Sequence, residues 1–439
     1  MKKGLKYLTI VIAAFAISVA GIGRLPQFIT ILTLCILGLY LIRRIIDANT
    51  RRRASILFLA VFLLQVMISI FLYAHTVDTK YYGFSYKGDD YVYGDFGVLA
   101  GKLWRKGIFP SIKGLEYLSL IGRYSPVHPY QLYNAAIFYL FGACSGQIIL
   151  ILNCFFHAAI ILPVFFICKE LNIRSNVILF AFFLFLFWPS TFFWSLFNFK
   201  EPIYLLVDFV IFSMCIKWQK DQSIGTLILL GFLSFVLFML KPHIKPWLAI
   251  LFLYLLFTWR LRYRHLAAII LAVIFVLRQI LKKSFFADLY RSFSLLPKTF
   301  SERRYASYFT NTSYLWNLPT DTWLATIIYL PFGMLLVLFL PFLLRPFELQ
   351  HVAANVESIA WWALMPFLIG GIWVSITKEL RKTFLVIVMF FFWIAAMALT
   401  QSSMGTLIRQ KAIIYYIGFV FIALAIDRAM DKVEDRDGG

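Results

Sequence analysis

Apolar runs of about 17 to 22 residues, rich in Leu, Ile and Phe, alternate with short polar turns along most of the chain. A helix rising 1.5 Å per residue needs ~20 such residues to cross ~30 Å of hydrocarbon. The runs lack the short alternating strands of a transmembrane barrel. The pattern predicts an all-α, polytopic helical membrane protein of about 11–13 transmembrane helices, with one membrane domain over 1–439 and no internal repeat or soluble domain.

Taken in order, residues 1–23 form an apolar run behind Lys2, Lys3 and Lys6, readable as a signal peptide or, with the run 26–42 close behind it, as a retained hairpin. Arg43, Arg44 and Arg51–Arg53 place both ends of that hairpin in the cytoplasm by the positive-inside rule. A span at 54–74 then delivers a polar segment, 75–130, to the outer face, carrying Asp89, Asp90 and Asp95. Within it, Phe96–Lys106 and Leu115–Gly122 predict short amphipathic surface helices, and 131–142 a re-entrant or interfacial one. Spans follow at 146–168, 177–187 and 202–216, the last two joined by an outer turn that contains Asn198, Lys200 and Glu201. Spans at 224–240 and 247–259 flank a second outer turn with Lys241, His243 and Lys245.

After a span at 266–280, the stretch 281–321 is polar and basic, and counting spans places it outside, against the positive-inside rule. Either the count slips by one span there or the basic groups face an anionic ligand. Runs at 322–343, 359–377, 383–399 and 412–426 complete the chain. The parity closes when 322–343, with Pro331 and Pro341, is a broken or re-entrant helix. Gln401–Lys411 then lies outside and the acidic tail from Asp427 inside.

Composition agrees with a membrane chain: 62% of residues are hydrophobic and 14% charged. The net charge of +21 suggests nucleic acid at first, but the basic residues sit in short turns between apolar runs, where the positive-inside rule puts them, so no nucleic-acid partner is expected. Five cysteines lie in or near apolar segments without metal-ligand spacing and read as small core residues, with neither disulfide nor zinc implied. No P-loop, dinucleotide turn, zinc motif or Ser/His/Asp order is present.

Four groups of residues carry candidate chemistry. Asp89 and Asp90 have the carboxylates a general base needs, or a divalent-cation site if the chain holds a metal; Gly-Asp-Asp-Tyr is also ordinary turn chemistry. Lys200 and Glu201 break an apolar region, where a charge costs ~3 kcal/mol on insertion scales; they also fit a helix start ahead of Pro202. Lys241, His243 and Lys245 offer cations to a phosphate, or are snorkelling interfacial side chains. Arg409, with Lys411 nearby, suits bidentate phosphate recognition, unless the segment faces the cytoplasm. His128, before Pro129, can orient a substrate or simply pack in a loop.

The order of several short motifs resembles the GT-C superfamily of polytopic membrane glycosyltransferases, in particular bacterial members related to protein mannosyltransferases and aminoarabinose transferases. Asp89-Asp90-Tyr-Val-Tyr93, with Ala100 and Gly107, is similar to the family's acidic pair early in the first outer loop. Pro129 through Leu140-Phe141-Gly142, Trp188-Pro-Ser190 with Trp194-Ser195 and Lys200-Glu201, and Gly405-Thr406-Leu-Ile-Arg409 are similar to later family elements. The chain departs from the pattern in its preceding hairpin, in lacking an outer C-terminal soluble domain, and in a basic-first Lys200-Glu201.

The resemblance implies an enzyme of the bacterial cytoplasmic membrane with its active site facing outward. It would move a sugar, with inversion, from a polyprenyl-phosphate carrier to a glycan, lipid or protein acceptor. Asp89 or Asp90 would be the general base, and Lys200, Glu201, Lys241, His243, Lys245, Arg409 and His128 would bind substrate or phosphate. No organic cofactor is implied. A polymerase or ligase acting on undecaprenyl-pyrophosphate glycans is an alternative, as is a lipid-linked sugar transporter, although transporters place charged sites at mid-membrane within internal repeats.

Overall fold

The computed structural model describes residues 25–76, 89–109, 128–142, 145–240, 245–258, 322–340, 349–400 and 404–437. Every regular element among them is a helix. Six of these helices are long and apolar enough to cross a membrane: Leu25–Ile45, Ala48–Ala74, Ser145–Glu170, Ala354–Thr377, Lys382–Thr400 and Ala412–Asp431. A seventh is Ser175–Phe187 with Pro189–Ser195, if that pair, bent by 55°, is one span. The chain is therefore an all-α polytopic membrane protein. It divides into two compact units, and each is described by itself.

The first unit holds the described residues up to Phe165, with Thr191–Phe209 and Met239–Lys241. Its helices include α1 (Leu25–Ile45), α2 (Ala48–Thr76), α3 (Asp89–Arg105), α4 (Pro129–Phe141) and α5 (Ser145–Ala159). The cluster Arg51–Arg53 lies inside the first turns of α2, so that helix begins earlier than its apolar run. Its face is sealed on α5 by Phe58, Phe62 and Phe155, whose rings meet 5.9 to 6.1 Å apart. Polar side chains inside this apolar packing pair with one another: Gln27 of α1 donates to Gln147 of α5 at 2.5 Å, and Gln65 of α2 donates to Ser195 at 2.7 Å.

Helix α3 corrects the short surface helix expected at Phe96–Lys106. It starts two turns earlier, at the acidic pair, and runs parallel to α4. Tyr93 meets Tyr130 at 5.0 Å near the start of both helices, and Arg105 Nε donates to the Tyr139 carbonyl at 2.8 Å near their ends. Gly97 and Gly101, four residues apart, make this approach possible: a Cβ on either would stand 2.8 Å from Asn134 or 2.7 Å from Phe138. Small residues at that spacing let two helix backbones come close. Phe96 and Ala100 are buried against Ala135.

Helix α6 (Ile161–Glu170) continues the α5 span and enters the second unit after Phe165; α7 (Ser175–Phe187) bends at Trp188 into α8 (Pro189–Ser195), which is back in the first unit from Thr191. Next come α9 (Glu201–Asp221), in the first unit as far as Phe209, α10 (Ile224–Leu240), in the second as far as Phe238, and, in the second, α11 (Lys245–Thr258) and α12 (Trp323–Phe339). The last four are α13 (Leu349–Thr377), α14 (Leu380–Thr400), α15 (Met404–Gln410) and α16 (Ala412–Asp437). The core helix is α16, buried without interruption from Ala412 to Leu424. Helix α13 lies so close to it that a Cβ on Gly371 would stand 2.0 Å from the Phe421 carbonyl oxygen. Tyr416 of α16 donates its hydroxyl to the Phe185 carbonyl of α7 at 3.0 Å.

One expectation is corrected here. The run 322–343 is not broken at Pro331: α12 passes through that residue without a break from Trp323 to Phe339, while Pro341 lies outside the described residues. One proline removes a single intrahelical hydrogen bond, and packing of α12 on α14 holds the rest. The acidic residues from Asp427 are helical. They extend α16, and Asp427 accepts the backbone N–H of Arg174 at 2.9 Å while Arg428 reaches Glu379 at 3.1 Å. This ionic cluster ties the ends of α7, α13 and α16 together.

Candidate functional site

In the first unit the site is built on the start of α4. His128 is the N-cap: its backbone N–H donates to Gln131 Oε1 at 2.7 Å, and its Nδ1 accepts the Tyr130 N–H at 3.1 Å. Pro129 takes the first helical position, where a missing N–H costs nothing. The expected loop histidine is thus a helix cap. Its other ring nitrogen, Nε2, stands 3.1 Å from the Lys200 ammonium, and its ring lies 5.8 Å from that of Tyr93.

Lys200 is aimed by a buried polar network. Tyr130 donates its hydroxyl to the Phe199 carbonyl and to Asn198 Oδ1, both at 3.0 Å. Asn153 of α5 donates to the carbonyls of Phe197 and Phe199 at 2.7 and 2.9 Å. Asn198 in turn donates to Asn134 Oδ1 at 2.9 Å. The turn before Lys200 is therefore clamped by α4 and α5, which puts Nζ 6.0 Å from the Tyr93 ring centroid. Burial pushes the Tyr130 phenol well above its usual 10.0, so it remains a donor.

Asp89 and Asp90 form the first turn of α3, four and three residues before Tyr93. The parallel α3–α4 pairing therefore puts the acidic pair at the end of the bundle where His128 caps α4. Glu201 opens α9, and Tyr204 and Asp208 follow at helical spacings of three and four on one face of it. Asp208 is fully buried and was missed from the sequence; a single acid inside an apolar run was the available signal. Asp95, by contrast, faces outward on α3.

Arg409 lies in the second unit on the short α15, half-buried. Lys411 does not accompany it as a phosphate ligand. Its ammonium is buried and donates to the carbonyls of Leu338 and Leu340, at 3.0 and 2.5 Å, where α12 ends. A cation there satisfies carbonyls that the helix leaves open. The same ammonium sits over the rings of Tyr415, at 4.9 Å, and Trp361, at 5.8 Å.

Beside it, Glu357 of α13, buried and also missed from the sequence, accepts the backbone N–H of Ser190 at 2.7 Å, at the α7–α8 bend. Lys241, His243 and the stretch 281–321 lie outside the described residues, and of Lys245 only its place at the start of α11 is described. Among the described residues no group of three or more His, Cys, Asp or Glu side chains is placed to hold a metal ion. No protein-family model and no curated protein matches the chain.

Proposed function

We propose that the chain is a membrane glycosyltransferase that moves a sugar from a polyprenyl-phosphate carrier to an acceptor at the outer face of a bacterial cytoplasmic membrane. The observation that carries this reading is the meeting of Lys200 and His128 at 3.1 Å beside Tyr93, on the helix whose first turn is Asp89-Asp90. A pair of acids at one helix start and a cation at the adjoining turn is what inverting transfer from a phosphate leaving group requires.

In this mechanism Asp89 or Asp90 takes the proton of an acceptor hydroxyl. The acceptor oxygen forms a bond to the anomeric carbon as the bond from that carbon to the phosphate oxygen breaks. The polyprenyl phosphate departs with the electron pair, and Lys200 neutralises the developing charge, the larger contribution of the protein. The polytopic helical fold supports the reading by keeping the protein in the bilayer, where a lipid-linked substrate also lies. The glycan, lipid or protein acceptor would enter from water.

The test is transfer by purified protein from a short-chain polyprenyl-phosphate sugar in the absence of any ion gradient. Of D89N and D90N, the one that removes the base should abolish it, as should the double variant, with normal expression and unchanged melting. Full transfer by the double variant would sink the proposal. Movement of the lipid-linked sugar across a vesicle without covalent change would favour a transporter instead.

A further inference from the structure

The α1–α2 hairpin of the first unit carries five arginines, Arg43, Arg44 and Arg51–Arg53, against one carboxylate, Asp47. Asp47 caps the start of α2, where its Oδ1 accepts the Thr50 N–H at 3.2 Å, and Arg51 Nε donates to the Ile46 carbonyl at 3.1 Å. Those two side chains hold the turn. Arg43, Arg44, Arg52 and Arg53 are exposed. The positive-inside rule accounts for basic residues at a helix end, but not for the side of each helix on which they stand.

Packing fixes that side. Helix α1 turns Cys35, Gly38 and Ile42 inward, and Gly38 lies too close to Phe58 of α2 to carry a Cβ. Its opposite face exposes Ile29, Ile36 and Tyr40, and Arg43 and Arg44 continue that face by one turn. The Arg44 guanidinium lies 5.4 Å from the Tyr40 ring centroid, at the end of the strip. On α2, Phe58, Phe62 and Gln65 are buried, while Ile56, Leu64 and Met67 are exposed, with Arg53 three residues ahead of Ile56 at the head of the same face. Each helix thus presents a strip of apolar side chains that ends in guanidinium groups. Half of a ~30 Å hydrocarbon layer matches about ten residues of helix, which is the distance from these arginines to Ile36 on α1 and to Leu64 on α2.

We propose that the exposed faces of α1 and α2 bind anionic phospholipid, with the headgroup phosphate at Arg43, Arg44, Arg52 and Arg53 and the acyl chains along the apolar strips. Guanidinium groups take phosphate oxygens in pairs, and a cluster of basic residues beside a membrane helix attracts acidic lipid. A zwitterionic headgroup brings its own ammonium to the arginines and loses that advantage. A soluble phosphate has no chain for the strips. The assignment is independent of the proposed sugar transfer and uses none of its residues.

The experiment uses the full-length protein in nonionic detergent, with native mass spectrometry counting bound lipid during titration with dioleoyl phosphatidylglycerol or dioleoyl phosphatidylcholine. The anionic lipid should bind about tenfold more tightly or better, and R43Q/R44Q/R52Q/R53Q should remove most of that preference, since each basic side chain beside an acidic headgroup contributes about fivefold. In the unsubstituted chain, phosphatidylglycerol with a photoactivatable group in its acyl chain should label Leu25–Ile45 or Ala48–Thr76. Phosphatidylcholine with the same group should label them less.

Equal binding of the two lipids, or labelling confined to other helices, would overturn the proposal. So would displacement of the lipid by glycerol phosphate, which would assign the arginines to a soluble phosphate. A dimer that dissociates on the same substitutions, with no lipid bound, would give the face to a second copy of the chain and overturn the proposal as well. Labelling is read in the unsubstituted chain, so it decides the matter even if the fourfold variant does not fold.

Discussion

Glu357 Oε2 accepts the backbone N–H of Ser190 at 2.7 Å, across 167 positions of sequence. The bond satisfies an amide at the bend where α7 turns into α8, and the Lys411 ammonium sits over the Trp361 and Tyr415 rings of the same buried cluster. Trp188, Trp361 and Tyr415 close around the pair, with ring centroids 4.8 to 6.3 Å apart.

This cluster predicts a coupled loss of stability. Removing either side chain leaves buried backbone groups without their partner, the Ser190 amide in one case and the Leu338 and Leu340 carbonyls in the other, at ~1 to 3 kcal/mol. E357L and K411M should each lower the melting temperature in detergent. The double variant should recover about 1 kcal/mol of the sum, since it removes both buried charges. Additive losses would show that the two charges do not sense each other.

Tyr130 makes a prediction at high pH. Its phenol is raised above 10.0 by burial, so folding favours the protonated form. That stabilisation is present in full below the unfolded value and is lost as pH rises from about 10 toward the folded value. The decline in stability above pH 10 should be shallower in Y130F. At neutral pH Y130F should cost ~1 to 3 kcal/mol, because Asn198 and the Phe199 carbonyl lose their donor. Equal slopes in the two proteins would refute the assignment.

The glycines separate by what surrounds them. G371A should destabilise the α13–α16 contact, since its Cβ would meet the Phe421 backbone at 2.0 Å, and a main chain cannot move aside as a side-chain tip can. G225A, with nothing within 4 Å, should be neutral or slightly stabilising through helix propensity, by up to ~1 kcal/mol. Melting curves of the two variants suffice.

Asp427 is 1% exposed and faces Arg174 from its own helix end. D427A should cost ~3 kcal/mol, as the Arg174 amide and its guanidinium partners are left behind. D427N keeps an acceptor for the amide and should cost ~1 kcal/mol. Chemical unfolding in mixed micelles would rank them, and the reverse order would remove the ionic cluster from the account of stability.

Some of this was legible in the order of residues and some was not. Spans such as 146–168 and 383–399 are read correctly because a membrane helix satisfies its own backbone and needs only length and apolarity, both local properties. No break occurs at Pro331 because one lost hydrogen bond is a local cost that packing on α14 outweighs. The start of α3 at Asp89 was missed because its first turns are polar and Gly-containing, and what stabilises them is contact with α4.

By itself the sequence determined that this chain is a set of membrane helices, and it named Lys200, His128 and the acidic pair as unusual. Whether those residues meet depends on clamps between Tyr130, Asn153 and Asn198, which are up to 68 positions apart in the chain and carry no shared local signal. The same holds for Glu357, Lys411 and Asp208, each a single charge in apolar surroundings. Only the tertiary structure decided that Lys411 caps a helix while Lys200 faces a capped histidine, since a charge in an apolar setting takes its role from the groups that surround it once the chain has folded.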